Sequence, residues 1–165
     1  MNLPKELEFE RLTAEEKLGK AVPGYMRRML GLYNAVYERF GEDGLDLIRN
    51  VSSNYGVQIG KNLNKKGGLK GLVEVGRYLL RVFDIVGGDW EVTEFSDDRL
   101  IIAVHRCPFP FEKPEICQAH TCMEKNLVAT LDESLQYRIG CSIPAGDAYC
   151  EHILERKSAA PSQPA

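Results

Sequence analysis

The chain has 165 residues, 44% hydrophobic and 27% charged, with a formal net charge of -3 and a mean hydropathy of -0.28. That composition describes one globular domain and excludes a disordered chain. No apolar run approaches the ~20 residues of a spanning helix, and a pI near 5.7 with no broad basic surface speaks against nucleic acid.

The start, MNLPKELEFERLTAEEK, is charged and lacks an apolar signal core, so a cytoplasmic location without a membrane partner is expected. Thiols stay reduced there. Residues 1–12 read as a flexible acidic arm, 13–157 as a single α+β domain binding a ligand and a metal, and 158–165 (SAAPSQPA) as a disordered tail.

The first half is helical. Thr13 and Glu16 fit a capping box before a short helix. Gly24 to Phe40 spaces Met26, Met29, Leu30, Tyr33, Val36, Tyr37 and Phe40 at three- and four-residue steps, with Gly41 as its stop. Leu47, Val51, Tyr55, Ile59 and Leu63 mark a second helix, in which Ser52, Gly56 and Gly60 form a row of small residues. Glycine inside a helix costs about 1 kcal/mol relative to alanine, so such a row implies a close approach, by another helix or by a ligand. Gly68 to Val86 is a third amphipathic helix.

The second half switches to period two. DWEVTEF, a turn at Asp97-Asp98 and RLIIAVHR read as a β-hairpin, and the apolar residues on both faces of RLIIAVHR predict a central strand. Pro114 to about Leu127 reads as one helix between the hairpins. LQYRIGCSI, PAGD and AYCEHILER form the second hairpin. If PAGD is its turn, Tyr137 faces Leu154, Ile139 faces His152 and Cys141 faces Cys150, all on the buried side. The expected fold is therefore α+β: a helical N-terminal half packed on an antiparallel four-stranded sheet of two hairpins, with one helix between them.

All five cysteines lie between residues 107 and 150. Tetrahedral zinc takes thiolate and imidazole. On a helix Cys117 and His120 share a face while Cys122 diverges, so Cys122 is assigned to packing. The candidate metal ligands are Cys107, Cys117, His120, Cys141 and Cys150, with zinc as the metal or an iron–sulfur cluster in its place. Three other readings compete: buried cysteines acting as small hydrophobes, a Cys141–Cys150 disulfide, and a catalytic cysteine with His120 or His152 as base. The gaps between the cysteines match no zinc-finger spacing.

Across roughly residues 24–155, the pieces YERFGEDGLDLIRNVSSNYGVQIGKNL, HRCPF, EICQAH and SIPAGDAYCEHIL resemble the L-2-amino-thiazoline-4-carboxylic acid hydrolase family. The same order is similar to the related 4-vinyl reductase type of small-molecule-binding domain and to output domains of methanogen sensor proteins. The resemblance implies an antiparallel sheet and helices enclosing a pocket, with a cysteine-bound metal beside it. Vinyl-reductase-type relatives add a glutamate shortly before one cysteine. Here Arg138 stands three before Cys141 and Glu133 eight before, which leaves the fourth ligand to Cys141 or His120.

The expected function is a small-molecule-binding, sensor-like domain with a zinc site beside an apolar pocket. The pocket is assigned to Tyr33, Tyr37, Tyr55, Gly56, Gly60 and His152, and its ligand is apolar or aromatic. The alternatives are a hydrolase of a small cyclic amide or thiazoline, an iron–sulfur or haem-linked redox sensor, and a homodimer formed through the amphipathic helices.

Overall fold

The computed structural model describes residues 12–157; the arm expected before residue 12 and the tail after 157 lie outside the described residues. Three helices come first: α1 (Ala14–Phe40), α2 (Glu42–Asn64) and α3 (Gly71–Val86). Strands β1 (Asp89–Phe95) and β2 (Arg99–Arg106) follow, then α4 (Pro114–His120), α5 (Cys122–Leu131), β3 (Leu135–Ile139) and β4 (Cys150–Arg156). The strands form one antiparallel sheet in the order β1-β2-β4-β3. The α+β architecture with a helical N-terminal half is as the residue pattern indicates.

The capping box at Thr13 forms, with Glu16 Nα–H donating to the Thr13 hydroxyl at 3.2 Å. The helix it opens is not short. It runs through Pro23 to Phe40 without a break. Proline removes one amide donor, but no residue of this stretch turns to positive φ before Gly41, so the helix continues past it. Gly41, at φ 56°, then reverses the chain directly into α2.

The row of small residues on α2 faces α5, and this is the tightest helix contact in the fold. A β-carbon added at Gly56 would stand 2.1 Å from the Met123 carbonyl oxygen, and one at Gly60 2.7 Å from the Thr130 side chain. The close approach is thus made by a helix. The apolar row Leu47, Val51 and Tyr55 is more than half exposed.

The segment after Pro114 is two helices, not one. At Thr121 the chain changes direction. The Thr121 hydroxyl and the Cys122 thiol both donate to the Gln118 carbonyl, at 3.1 and 3.5 Å. Side chains that take a helix carbonyl in this way compete with the backbone ladder and bend it.

β2 is central, flanked by β1 and β4. In the second hairpin Tyr137 faces Leu154 and Ile139 faces His152, the anticipated register. Beyond Ile139 the pairing departs from it. Gly140 Nα–H donates to the Glu151 carbonyl while Glu151 Nα–H donates to the Cys141 carbonyl, so two residues oppose one, as in a β-bulge. Ile143–Ala145 is a 3-10 turn. Cys141 is therefore not squarely opposite Cys150. Its thiol donates to the Tyr149 carbonyl at 3.4 Å, while Ile143 Nα–H donates to the Cys150 sulfur at 3.3 Å.

Two apolar clusters result. The larger joins α3, α5 and the inner sheet face through Leu79, Ile102, Val128, Leu131, Leu135 and Leu154. The smaller joins α1, α2 and α4 through Leu45, Ile48, Phe111, Ile116 and Ala119. The space between them is only partly filled.

Candidate functional site

That space is a cavity of about 490 Å³, with residues of α1, α2, α3, α5, β2, β4 and the loop after β2 in its wall. Ligand pockets run to roughly 300–1,000 Å³ and are mostly apolar with a few placed polar groups. Here Met26, Met29, Val51, Phe83, Val104 and Ile139 supply apolar wall. The loop Cys107-Pro108-Phe109 and Phe111 close one side.

Of the residues assigned to a pocket from the sequence, Tyr33, Tyr55 and His152 border the cavity. Tyr37 does not; its hydroxyl donates to Glu115 at 3.1 Å, with Lys113 over its ring. Gly56 and Gly60 press against α5 and shape the cavity from behind. Of the candidate metal ligands, Cys107, Cys117, His120 and Cys150 border the cavity, whereas Cys141 sits at the hairpin bulge. Cys122, at the start of α5, is also outside the lining. Among the described residues no group of three or more histidines, cysteines, aspartates or glutamates is arranged to hold a metal ion. Cys107, Cys117, His120 and Cys150 border one cavity without forming such a group.

The buried His120 and the half-buried His152 are occupied by neighbours. His120 Nδ1 lies 3.4 Å from the Tyr33 hydroxyl, and its ring packs against Phe109 and Phe111. His152 Nδ1 is hydrogen-bonded to the Tyr137 hydroxyl, with its ring edge-on to Phe83. Burial favours the uncharged imidazole and lowers both to a pKa of about 4. At neutral pH neither ring carries charge.

The thiols are shifted the other way. Burial pushes Cys107 up to about 11 and Cys117 up to about 12, and it raises Cys150 as well. A thiol of this kind is a poor nucleophile at neutral pH, because the thiolate is the reactive form. Iodoacetamide at pH 8 is therefore expected to label Cys107 and Cys117 at least about tenfold more slowly in the folded chain than in urea, read by peptide mass mapping. Equal rates would contradict this assignment.

Glu124 is the functional group that the sequence reading missed. It stands on α5 with Leu127, Val128 and Leu131, all buried, at the i, i+3, i+4, i+7 spacing of one helix face. A carboxylate at the first position of that stripe was the available signal. Its side chain borders the cavity, and burial raises its pKa to about 7. Across from it on α2, the buried Ser52 completes a polar patch with Tyr33.

No family model matches the chain, and no curated protein does. In fold the chain is similar to a trafficking protein particle complex subunit 3. That protein, from Naegleria fowleri, was solved covalently bound to palmitic acid. The superposition has a TM-score of 0.58 at 12% identity and covers 81% of this chain and 96% of that one. Identity this low establishes a shared architecture and carries no activity across.

Among the described residues, no helix is long and apolar enough to cross a membrane.

Proposed function

We propose that this chain is a small-molecule-binding domain whose ligand has an apolar body and sits in the cavity between α1, α2, α5 and the sheet. One observation carries the reading: a cavity of about 490 Å³ opens into the fold past the exposed Met29, Val51 and Tyr55, its wall dominated by apolar side chains. Protein interiors are otherwise close-packed, so a void this large forfeits dispersion contacts that an occupant would restore. The solved structure of similar fold holds palmitic acid, which is an occupant of the same apolar character.

An enzymatic role finds less support in the side chains. The thiols are held protonated by burial, and both histidines are engaged by tyrosine hydroxyls. A nucleophile would need a lowered pKa or a base free to take its proton.

The test uses the neutral dye Nile red, which brightens in apolar surroundings. The full chain is expected to bind it saturably at one site. Val82 borders the cavity, and Val82→Trp would narrow it, so this variant should weaken binding by about tenfold, the effect of about 1.4 kcal/mol. Absence of saturable binding by a folded chain would remove the proposal.

A further inference from the structure

We infer that the ligand carries an amine, and that this amine is anchored on Glu124 and Ser52. The inference rests on the reading of the cavity as a ligand site and adds the chemistry of the polar end.

Glu124 and Ser52 are each more than nine-tenths buried, and both border the cavity. Glu124 Oε2 and Ser52 Oγ are the buried side-chain oxygens or nitrogens among the described residues with no hydrogen-bond partner. Buried polar atoms are otherwise almost always paired, and a vacant pair facing one space marks where something is received. Nearby, the Tyr33 hydroxyl lies against His120 and within reach of the Ser52 hydroxyl, and the Tyr137 hydroxyl lies against His152.

The character of the two oxygens selects the partner. A carboxylate accepts hydrogen bonds only, and a hydroxyl accepts through two lone pairs. An ammonium group brings three donors and one positive charge, so it satisfies both oxygens and pairs the carboxylate's charge. A hydroxyl brings one donor and no charge. Above about pH 7, where the Glu124 carboxyl is ionised, a carboxylate or phosphate headgroup would face it with like charge. Among the described residues no lysine or arginine lines the cavity to hold such an anion. A buried charge without a partner is strongly disfavoured. The occupant is thus an apolar molecule ending in a primary amine, not a fatty acid.

Three compounds with one ten-carbon chain test this against bound Nile red: decylamine, decanol and decanoate. Decylamine is expected to displace the dye about tenfold more tightly than decanol and more tightly still than decanoate. Glu124→Gln, near in shape but uncharged, should erase the preference for decylamine over decanol in a chain that still unfolds cooperatively in urea. Ser52→Ala should weaken decylamine alone to a smaller degree. Equal or tighter displacement by decanol or decanoate in the parent chain overturns the inference without any variant and assigns the two oxygens to buried water. Loss of Nile red binding in the parent chain would instead overturn the cavity reading, and this inference with it.

Discussion

Gly56→Ala is expected to lower the stability of the chain by about 3 kcal/mol, at the upper end of ordinary overpacking effects. The added methyl would stand 2.1 Å from the Met123 carbonyl oxygen and 3.0 Å from the Leu127 backbone nitrogen. Both are backbone atoms of α5, so no side chain can turn aside to make room. The two helices must part, and α2 and α5 share the most extensive helix–helix contact of the fold. Alanine's better helix propensity returns only about 1 kcal/mol. Gly31, on α1, supplies the control, because a β-carbon there meets nothing within 4 Å. Gly31→Ala should be neutral or stabilising by up to about 1 kcal/mol. Urea unfolding of the two variants beside the parent decides the matter: a Gly56→Ala midpoint equal to that of the parent would show that the helices do not meet as described.

Stability should also rise with pH between about 4.5 and 6.5. His120 and His152 titrate near 4 in the folded chain and near 6.5 when unfolded. In that window the unfolded chain binds two protons that the folded chain refuses, and stability rises with pH wherever the unfolded state binds more protons. Glu124 opposes them. Its folded pKa of about 7 lies above its unfolded 4.5, so in the same window the folded chain keeps one proton that the unfolded chain loses. Two against one leaves a net slope near one proton, or about 1.4 kcal/mol per pH unit. Below this window Glu155 and Asp132 act with the histidines, because hydrogen bonds from Arg138 and Ser134 hold their carboxyls below the usual range. Glu124→Gln removes the opposing group, and its slope between pH 4.5 and 6.5 should be roughly doubled. Urea midpoints at pH 4.5, 5.5 and 6.5 for parent and variant measure both slopes. A flat or falling profile in the parent would mean that the histidines are not enclosed.

The sheet was more legible in the sequence than the helices' ends. Register in a hairpin obeys a sum rule, so placing Tyr137 against Leu154 also placed Ile139 against His152. The bulge at Gly140 and Cys141 lay beyond that rule, because alternation does not reveal where two residues share one partner. RLIIAVHR announced its central place by being apolar on both faces, as β2 is. The small-residue row on α2 announced a close neighbour and left the neighbour's identity open. Thr121 gave no such warning, since the break depends on side chains competing for the Gln118 carbonyl. The short helix expected after Thr13 and the one expected from Gly24 are one continuous helix.

The cavity was legible only in part. Tyr33 and His152 could be guessed from helix and strand faces, whereas Tyr55 borders the cavity although more than half exposed. Glu124 could not be separated from a surface glutamate without knowing that α5 buries that face against α3 and the sheet. The crowding of cysteines was plain, and four of the five carry sulfur into or beside the same region. What crowding in sequence cannot give is the angle at which each thiol points.

The backbone contact between Gly56 and Met123 fixes one side of the cavity at a set width. Met26, Met29, Val82 and Val86 also border the cavity, and Met29 is 42% exposed. Unbranched thioether chains re-pack at small cost. Occupants of different lengths would therefore share one fixed inner seat and differ only in how far they push the methionines outward, so that tolerance for size resides in α1 and discrimination resides in α5.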